Sequence, residues 1–422
     1  MTISIVFPGQ GSQFPGMGKN LFYQHQTART IFEEASDYLQ LDLKEYCFGK
    51  HTDQLMQTKY TQLAVFVVSY ATFRILQENL DLHPRILLGH SLGELTALVS
   101  ANTFSFTDGL EIVRTRGELM QEASIGDYKM AAIIGQDSSD VQAHCENISR
   151  KDNIVEISNY NSRDQTVISG HEDAVKQVVK QIQKTGGKVI YLNVTSPFHS
   201  SIMIEPATLF GKYIKKFRIR KPEVDVLSNV SGDTHQDILI HEMLSRQIVQ
   251  PVDWVACMNF LHQQNITDII EVGPGTSLSN ILKNHLPNAQ VYSIGELTEL
   301  EQVKRQLTLI SPHNRFLKKC ISIAVSTQNK GFQNSESQKM ILHHYKELVE
   351  MYEKLHKNVI LNEEMQQILF HFTEILRLKC ISNEDWQERH KQLVVIAEND
   401  RSLVNILINL NEEIMNSIYS KN

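Results

Sequence analysis

Residues Ile86-Leu-Leu-Gly89-His90-Ser91-Leu92-Gly93-Glu94 join an apolar run to a helix-forming run through a serine flanked by two glycines. Glycine on both sides of one residue suits a tight strand-to-helix corner, where a side chain would crowd the crossing backbone. Such a corner commits the chain to an α/β arrangement in which a strand ends beneath Ser91 and a helix begins at it. The Ser91 hydroxyl is then exposed at a helix head, where the Leu92 amide and the helix dipole can face an oxyanion. The spacing is that of a nucleophile elbow. Nearer the N-terminus, residues 3–7 read as a short buried strand running into Pro8-Gly9-Gln10-Gly11-Ser12-Gln13. Alone that loop is a glycine-rich turn; beside Ser91 it is a second source of amides for the same oxyanion.

Composition narrows the function classes. A chain of 422 residues, 41% hydrophobic and 21% charged, can bury a sizeable core and has room for two or three domains. A net charge of -7 argues against a general nucleic-acid binder, whose affinity would come from neutralising phosphates. Cysteines at 47, 145, 257, 320 and 380 are odd in number, widely spaced and without a C-x-x-C pair. They suggest neither a disulfide framework nor a zinc site, and a reducing cytoplasm is the expected location. No signal peptide or membrane helix is expected.

Residues 18 to 80 are mostly helical in pattern, with an apolar run opening at Thr58-Lys-Tyr-Thr61-Gln62-Leu63-Ala64. Gln62, at that helix start, reads on pattern as a solvated polar residue. A further helix starts near Phe106-Thr107-Asp108 and carries Arg114 and Arg116, which on pattern alone are surface residues. From 129 to 194 the order strand, helix, strand, strand, helix, strand is the ferredoxin-like signature, with Asn159 to Asp164 as its turn-rich hairpin. It predicts a small inserted domain and a site in the cleft between it and the large domain. Lys212, Lys215, Lys216, Arg218, Arg220 and Lys221 concentrate positive charge. They read either as a docking patch or as the solvated side of an edge strand at residues 217–220. Beyond about 300 the composition shifts to Lys, Glu, Gln, Asn and Leu, and 336–357, 361–378 and 384–418 have helical apolar spacing. Among 17 histidines the pattern selects no base: His90, next to the serine, and His199, in Ser196-Pro197-Phe198-His199, both stay open.

Phe7-Pro8-Gly9-Gln10-Gly11-Ser12-Gln13 followed by Gly89-His90-Ser91-Leu92-Gly93-Glu94 resembles the malonyl-CoA:acyl carrier protein acyltransferases and the acyltransferases of polyketide synthases. The likeness runs from about residue 1 to 295. Further motifs follow in the same order: Arg116-Gly117-Glu118-Leu119-Met120-Gln121, Phe198-His199, Gln247-Ile-Val-Gln-Pro251-Val-Asp-Trp254 and Glu271-Val-Gly-Pro-Gly275. Leu63 departs from the family's usual T-Q-P-A helix start. The resemblance implies a large α/β-hydrolase-like subdomain (1–127 and 198–297) holding an inserted ferredoxin-like subdomain (128–197). A mostly helical extension (298–422) follows.

The resemblance also implies roles. Ser91 is the nucleophile and His199 its base, because a weakly nucleophilic hydroxyl must lose a proton as it attacks a thioester. The amides of Gln10 and Leu92 form the oxyanion hole. Arg116 clamps the free carboxylate of malonyl, a task suited to a planar guanidinium. The backbone carbonyl of Gln247 orients the histidine. Phe198 favours malonyl over a branched acyl group, and Gln62, Asn159 and Asn161 lie at the cleft rim. The expected substrates and partners are malonyl-CoA and an acyl carrier protein, with no metal, cofactor, nucleic acid or membrane. Residues 316–325 resemble the segment that follows stand-alone polyketide acyltransferases. This second likeness implies a polyketide pathway and a synthase partner for the C-terminal helices. Two other functions fit the fold: an acyl hydrolase that clears stalled carrier proteins, and a non-catalytic assembly subunit. Arg116 weighs against the hydrolase, since unsubstituted acyl chains would leave it unpaired. The intact serine, histidine and arginine weigh against the assembly subunit.

Overall fold

A computed structural model of the chain describes all residues except 1, 81, 124–125, 195, 311, 330–334, 356–361, 398–400 and 420–422. It divides into two compact units, Thr2–Leu300 and Glu301–Asn422.

The first unit is built on β1 (Ile3–Phe7), every residue of which is buried. A strand covered on both faces and paired on both edges has no polar side, which explains why all but one of its residues are apolar. The lone Ser4 in it donates its hydroxyl to the Ile86 carbonyl at 2.9 Å. β1 pairs in parallel with β2 (Ile86–Gly89) on one edge and β9 (Asp268–Val272) on the other. β7 (Asp225–Val226) and β10 (Gln290–Ile294) complete an all-parallel sheet of order β10-β9-β1-β2-β7. The strand order reverses at β1. In such sheets the crevice beyond the carboxyl ends of the strands at the reversal is where ligands sit. The loops leaving β1, β2 and β9 there are Pro8–Gln13, His90–Ser91 and Gly273–Thr276.

A second sheet forms from β3 (Tyr128–Ile134), β4 (Val155–Ser162), β5 (Gln165–His171) and β6 (Lys188–Tyr191). The helices Ser138–Ile148 and Glu172–Lys184 pack on it over a core that includes Ile133, Val141, Ile168, Val178 and Ile182. Its four strands run antiparallel in the order β6-β3-β5-β4. Two details differ from the sequence expectation. Asn159 to Ser162 belong to β4, which bulges between Ile157 and Asn159 and again between Tyr160 and Ser162, so the hairpin turn shrinks to Arg163-Asp164. The sheet also takes in β8 (Val252–Asp253), from outside residues 128–197, parallel to β4.

No strand forms at Phe217–Arg220. The segment is an irregular stretch pinned by buried Phe217 and by the Arg220 amide, which donates to the Thr103 carbonyl at 3.0 Å. The six basic residues nearby are exposed.

The second unit is helical, with helices at Pro312–Ser326, Ser335–Leu355, Asn362–Leu378, Asn383–Ala397 and Arg401–Tyr419. The single helical span expected over 384–418 is carried by the last two of these, and the expected ends at 356–357 and 361 lie outside the described residues. This unit has its own core, including Phe316, Leu348, Phe372, Trp386 and Leu407. The Trp386 indole N–H donates to Asn411 Oδ1 at 2.9 Å. Among the described residues no helix is long and apolar enough to cross a membrane.

Candidate active site

The elbow depends on its glycines for close approach. A Cβ on Gly89 would lie 2.0 Å from the Gly93 carbonyl carbon, and one on Gly93 would lie 2.1 Å from the Phe7 carbonyl oxygen. Strand β2, the helix Leu92–Ser100 and the end of β1 therefore meet only without side chains at these positions. Ser91 takes φ 53° and ψ -105°, a conformation that costs about 1 to 3 kcal/mol for a residue with a Cβ. Two hydrogen bonds hold it there: the Ser91 amide donates to Asn229 Oδ1 at 2.6 Å, and Asn229 Nδ2 donates to the Gly89 carbonyl at 2.8 Å.

His199, also at positive φ (56°), brings Nε2 to 2.8 Å from Ser91 Oγ. Its other ring nitrogen, Nδ1, lies 2.6 Å from the Gln247 carbonyl oxygen. A carbonyl accepts only, so Nδ1 carries the proton and Nε2 is free to accept one from the serine. Gln247 offers that carbonyl because it lies in the last turn of the helix Ile240–Val249. The residue four positions on, whose N–H would normally bond it, is Pro251, which has none. Burial, followed by the nearby Arg116 charge, lowers the His199 pKa to about 3, against the opposing pull of the Gln247 carbonyl.

Arg116 is 1% exposed. It lies on the helix Phe106–Glu122, next to Gly117, where a Cβ would come within 3.0 Å of Lys59 Cα; the bare glycine lets the helix Thr58–Asn79 approach. The Arg116 guanidinium donates to Gln62 Oε1 at 2.8 Å, to Gln247 Oε1 at 2.9 Å and to Ser91 Oγ at 3.0 Å. None of these acceptors is charged, and Arg116 Nε, buried, has no hydrogen-bond partner among the described residues. Burial lowers the Arg116 pKa to about 10, with the Glu94 charge opposing. Gln62, read on pattern as a solvated residue, is 1% exposed and fixed at both ends, its Nε2 donating to Met120 Sδ at 3.6 Å.

These groups open onto a cleft of about 480 Å³. Its walls include Gln10 and Gly11, Phe198, Met130 and Val167 of the second sheet, and Ile281 of the helix Ser277–His285. Gln10 lines the same cleft as Ser91, Leu92 follows Ser91 at the head of the helix, and neither backbone N–H is taken by an acceptor among the described residues. Phe198 is buried at the cleft wall next to His199. Asn159 and Asn161 both line the cleft, as strand residues of β4. Asn159 Oδ1 accepts from Ser158 Oγ at 2.8 Å, and Asn161 Oδ1 pairs with His90 Nε2 at 2.9 Å. His90 is thus turned from the serine toward the second sheet, and burial lowers its pKa against the Asn161 hydrogen bond. Asn229, which holds the Ser91 amide, carries no signal as a site residue in the sequence. Asn229-Val-Ser-Gly232 reads as an ordinary turn, and no spacing ties it to Ser91. Among the described residues no three His, Cys, Asp or Glu side chains gather as a metal site.

A proton-accepting imidazole on a hydroxyl at a helix head is an arrangement capable of covalent acyl transfer, and the guanidinium beside it, hydrogen-bonded to neutral acceptors, can pair with an anionic group. Comparison with known proteins agrees with that chemistry. The family model described as the acyl transferase domain matches residues 5–313. The malonyl CoA-acyl carrier protein transacylase of Bacillus subtilis is 33% identical over 333 residues, covering 78% of this chain and 83% of that protein. The crystal structure of FabD from Acinetobacter baumannii is 37% identical with a TM-score of 0.69, covering 72% of this chain and 96% of that one. A complex described as a type II PKS acyl-carrier protein with its malonyl-transacylase, PlMCAT:AntF, is 32% identical with a TM-score of 0.69 over 71% of this chain and 98% of that one. The chain belongs to the acyl transferase family, among the malonyl-CoA:acyl carrier protein transacylases, and is an acyltransferase.

Proposed function

We propose that the enzyme moves malonyl from malonyl-CoA to the phosphopantetheine thiol of an acyl carrier protein by way of a Ser91 ester. The observation that carries this reading is Arg116, a buried guanidinium 3.0 Å from the nucleophile with only neutral partners. His199 Nε2 takes the Ser91 proton as Oγ attacks the thioester carbonyl, and the Leu92 and Gln10 amides hold the oxyanion. The tetrahedral intermediate collapses by breaking the C–S bond, and His199 returns the proton to the coenzyme A thiolate. The carrier thiol then loses its proton to His199, attacks the ester, and regenerates Ser91 by the reverse steps. Gln247 orients His199 through its carbonyl, Gln62 and Gln247 aim Arg116, and Phe198, Asn159 and Asn161 shape the acyl end of the cleft. The reaction requires no metal or cofactor besides the coenzyme A of the substrate.

In this reading the second sheet with its two helices is a ferredoxin-like insertion, supported by its strand order β6-β3-β5-β4. The transfer belongs to polyketide assembly, in a reducing cytoplasm, and the helices beyond residue 300 bind a synthase partner. Support comes from Cys47, Cys145, Cys257 and Cys320, which are buried and form no disulfide among the described residues, and from a helical unit, Glu301–Asn422, most of which lies beyond the family match at residues 5–313.

The test is intact-protein mass spectrometry after mixing with malonyl-CoA, acetyl-CoA or methylmalonyl-CoA, followed by a phosphopantetheinylated carrier protein. The expected result is a malonyl adduct that is absent in Ser91→Ala, strongly reduced in Arg116→Ala, and passed to the carrier. Loading by acetyl or longer chains with release as free acid would replace this reading with an acyl hydrolase.

A further inference from the structure

Glu94 lies in the first turn of the elbow helix, three residues after the nucleophile, and its side chain is fully buried. A buried carboxylate is costly unless hydrogen-bonded, and this one is bonded at both oxygens. Oε1 accepts from His235 Nε2 at 2.7 Å, and the His235 side chain is equally buried. Oε2 accepts from Gln247 Nε2 at 2.7 Å and from the Asn229 amide at 2.8 Å.

The carboxylate removes an ambiguity in the Gln247 amide. With Nε2 drawn to Glu94 and to the Ser91 carbonyl at 3.0 Å, Gln247 Oε1 faces Arg116. The reversed amide would set its oxygen against the carboxylate and its NH₂ against the guanidinium, two repulsive contacts in a dry site. Asn229 is held in the same way, its backbone N–H on Glu94 and its side chain spanning Gly89 and the Ser91 amide. One carboxylate therefore sets the two residues that touch the nucleophile, the histidine and the guanidinium.

We propose that Glu94, held by His235, is a positioning residue that turns the Gln247 amide oxygen toward Arg116 and thereby sets how strongly the site prefers acyl groups ending in a carboxylate. This rests on the reading that Arg116 receives the malonyl carboxylate. An acetyl group makes no use of the guanidinium, so misaiming it penalises malonyl selectively.

The experiment compares single-turnover acylation of Ser91 by malonyl-CoA and by acetyl-CoA in the full-length wild type, Glu94→Ala, Glu94→Gln and Arg116→Ala. Glu94→Ala is expected to slow malonyl loading about tenfold more than acetyl loading, the scale of one lost buried hydrogen-bond arrangement. Glu94→Gln is expected to keep the wild-type preference. Its oxygen can take the Gln247 and Asn229 donors while its NH₂ turns to His235, whose ring can offer Nε2 as acceptor by changing tautomer. Should Glu94→Ala not fold, Glu94→Asp, which withdraws the carboxylate by one methylene, carries the same expectation. Loss of both loading rates by one common factor, without rescue by Glu94→Gln, would overturn the proposal, because that is what a merely structural role produces. The Arg116→Ala arm separates the two readings. If it keeps the malonyl preference, the role given to Arg116 fails; if it loses the preference and Glu94→Ala keeps it, only the positioning role fails.

Discussion

At the scale of single residues, the environment of His199 has a measurable consequence. Its pKa falls from 6.5 to about 3 through burial and the Arg116 charge, so the imidazole is neutral and proton-accepting throughout the ordinary pH range. Malonyl loading measured as kcat/KM across pH 4 to 8 should therefore show no acidic limb near 6.5, and Arg116→Ala should move the limb upward by removing a repelling charge. A wild-type limb at 6.5 would mean a hydrated imidazole and contradict the burial argument. The linked stability has a definite sign. Below about 6.5 the unfolded chain binds a proton that the folded one refuses, so this residue's contribution falls as pH drops from 6.5 toward 3, by up to about 1.4 kcal/mol per pH unit, and is flat above. Ser91 could be singled out from sequence because the glycines on either side of it have a physical reason, whereas Arg116, His199 and Gln247 are marked only by the resemblance to a known family, Arg116 reading on pattern alone as a surface residue. Asn229 and His235 could not, since their importance comes from tertiary contact with Glu94 and the elbow, more than 130 residues away in the chain.

Among the secondary-structure elements, the helix Ser277–His285 has its first turn held by a side chain of another element. Its N-cap, Thr276, makes no side-chain cap. Its first amides are satisfied instead by Glu271 of β9, buried, whose carboxylate accepts from the Leu278 and Ser279 amides at 3.1 and 2.7 Å. Burial raises the Glu271 pKa against those two hydrogen bonds. Glu271→Ala leaves both donors without their acceptor and should cost about 1 to 3 kcal/mol of stability in denaturant unfolding. Because Ser277 and Ile281 line the cleft, it should also raise KM for malonyl-CoA more than it lowers kcat. An unchanged unfolding midpoint would show that water caps the helix equally well. The motif Glu271-Val-Gly-Pro-Gly275 was readable as a strand running into a turn, but its glutamate's capping task was not, because the amides it holds lie seven and eight residues on. Alternation misled at Phe217–Arg220 for a related reason. Buried Phe217 and half-buried Ile219 alternate with exposed Arg218 and Arg220 along a loop, which is the same period of two that a strand shows.

For the molecule as a whole, the division after Leu300 separates two kinds of sequence as well as two compact units. Composition shifts near residue 300 as well, because glycine-dependent corners serve only where strands and helices come into backbone contact. Every site residue, from Gln10 to Gln247, lies in the first unit, and the 96% coverage of the Acinetobacter FabD shows that a chain of about that length suffices for such a fold. The helical unit has its own core around Trp386 and Phe372 and thus the means to fold alone. A chain ending after Ile310, which keeps the helix Leu297–Ile310 whole, should fold and load malonyl onto Ser91 within about twofold of the full-length rate. Transfer to an isolated carrier protein should be equally unaffected, whereas association with a synthase, measured by co-sedimentation, should disappear if the C-terminal helices bind that partner. A loading rate reduced tenfold in a shortened chain that still unfolds cooperatively would instead assign the helices a part in catalysis. Equal association with and without them would remove the helices' part in binding the synthase and leave the acyltransferase unit responsible for that interaction.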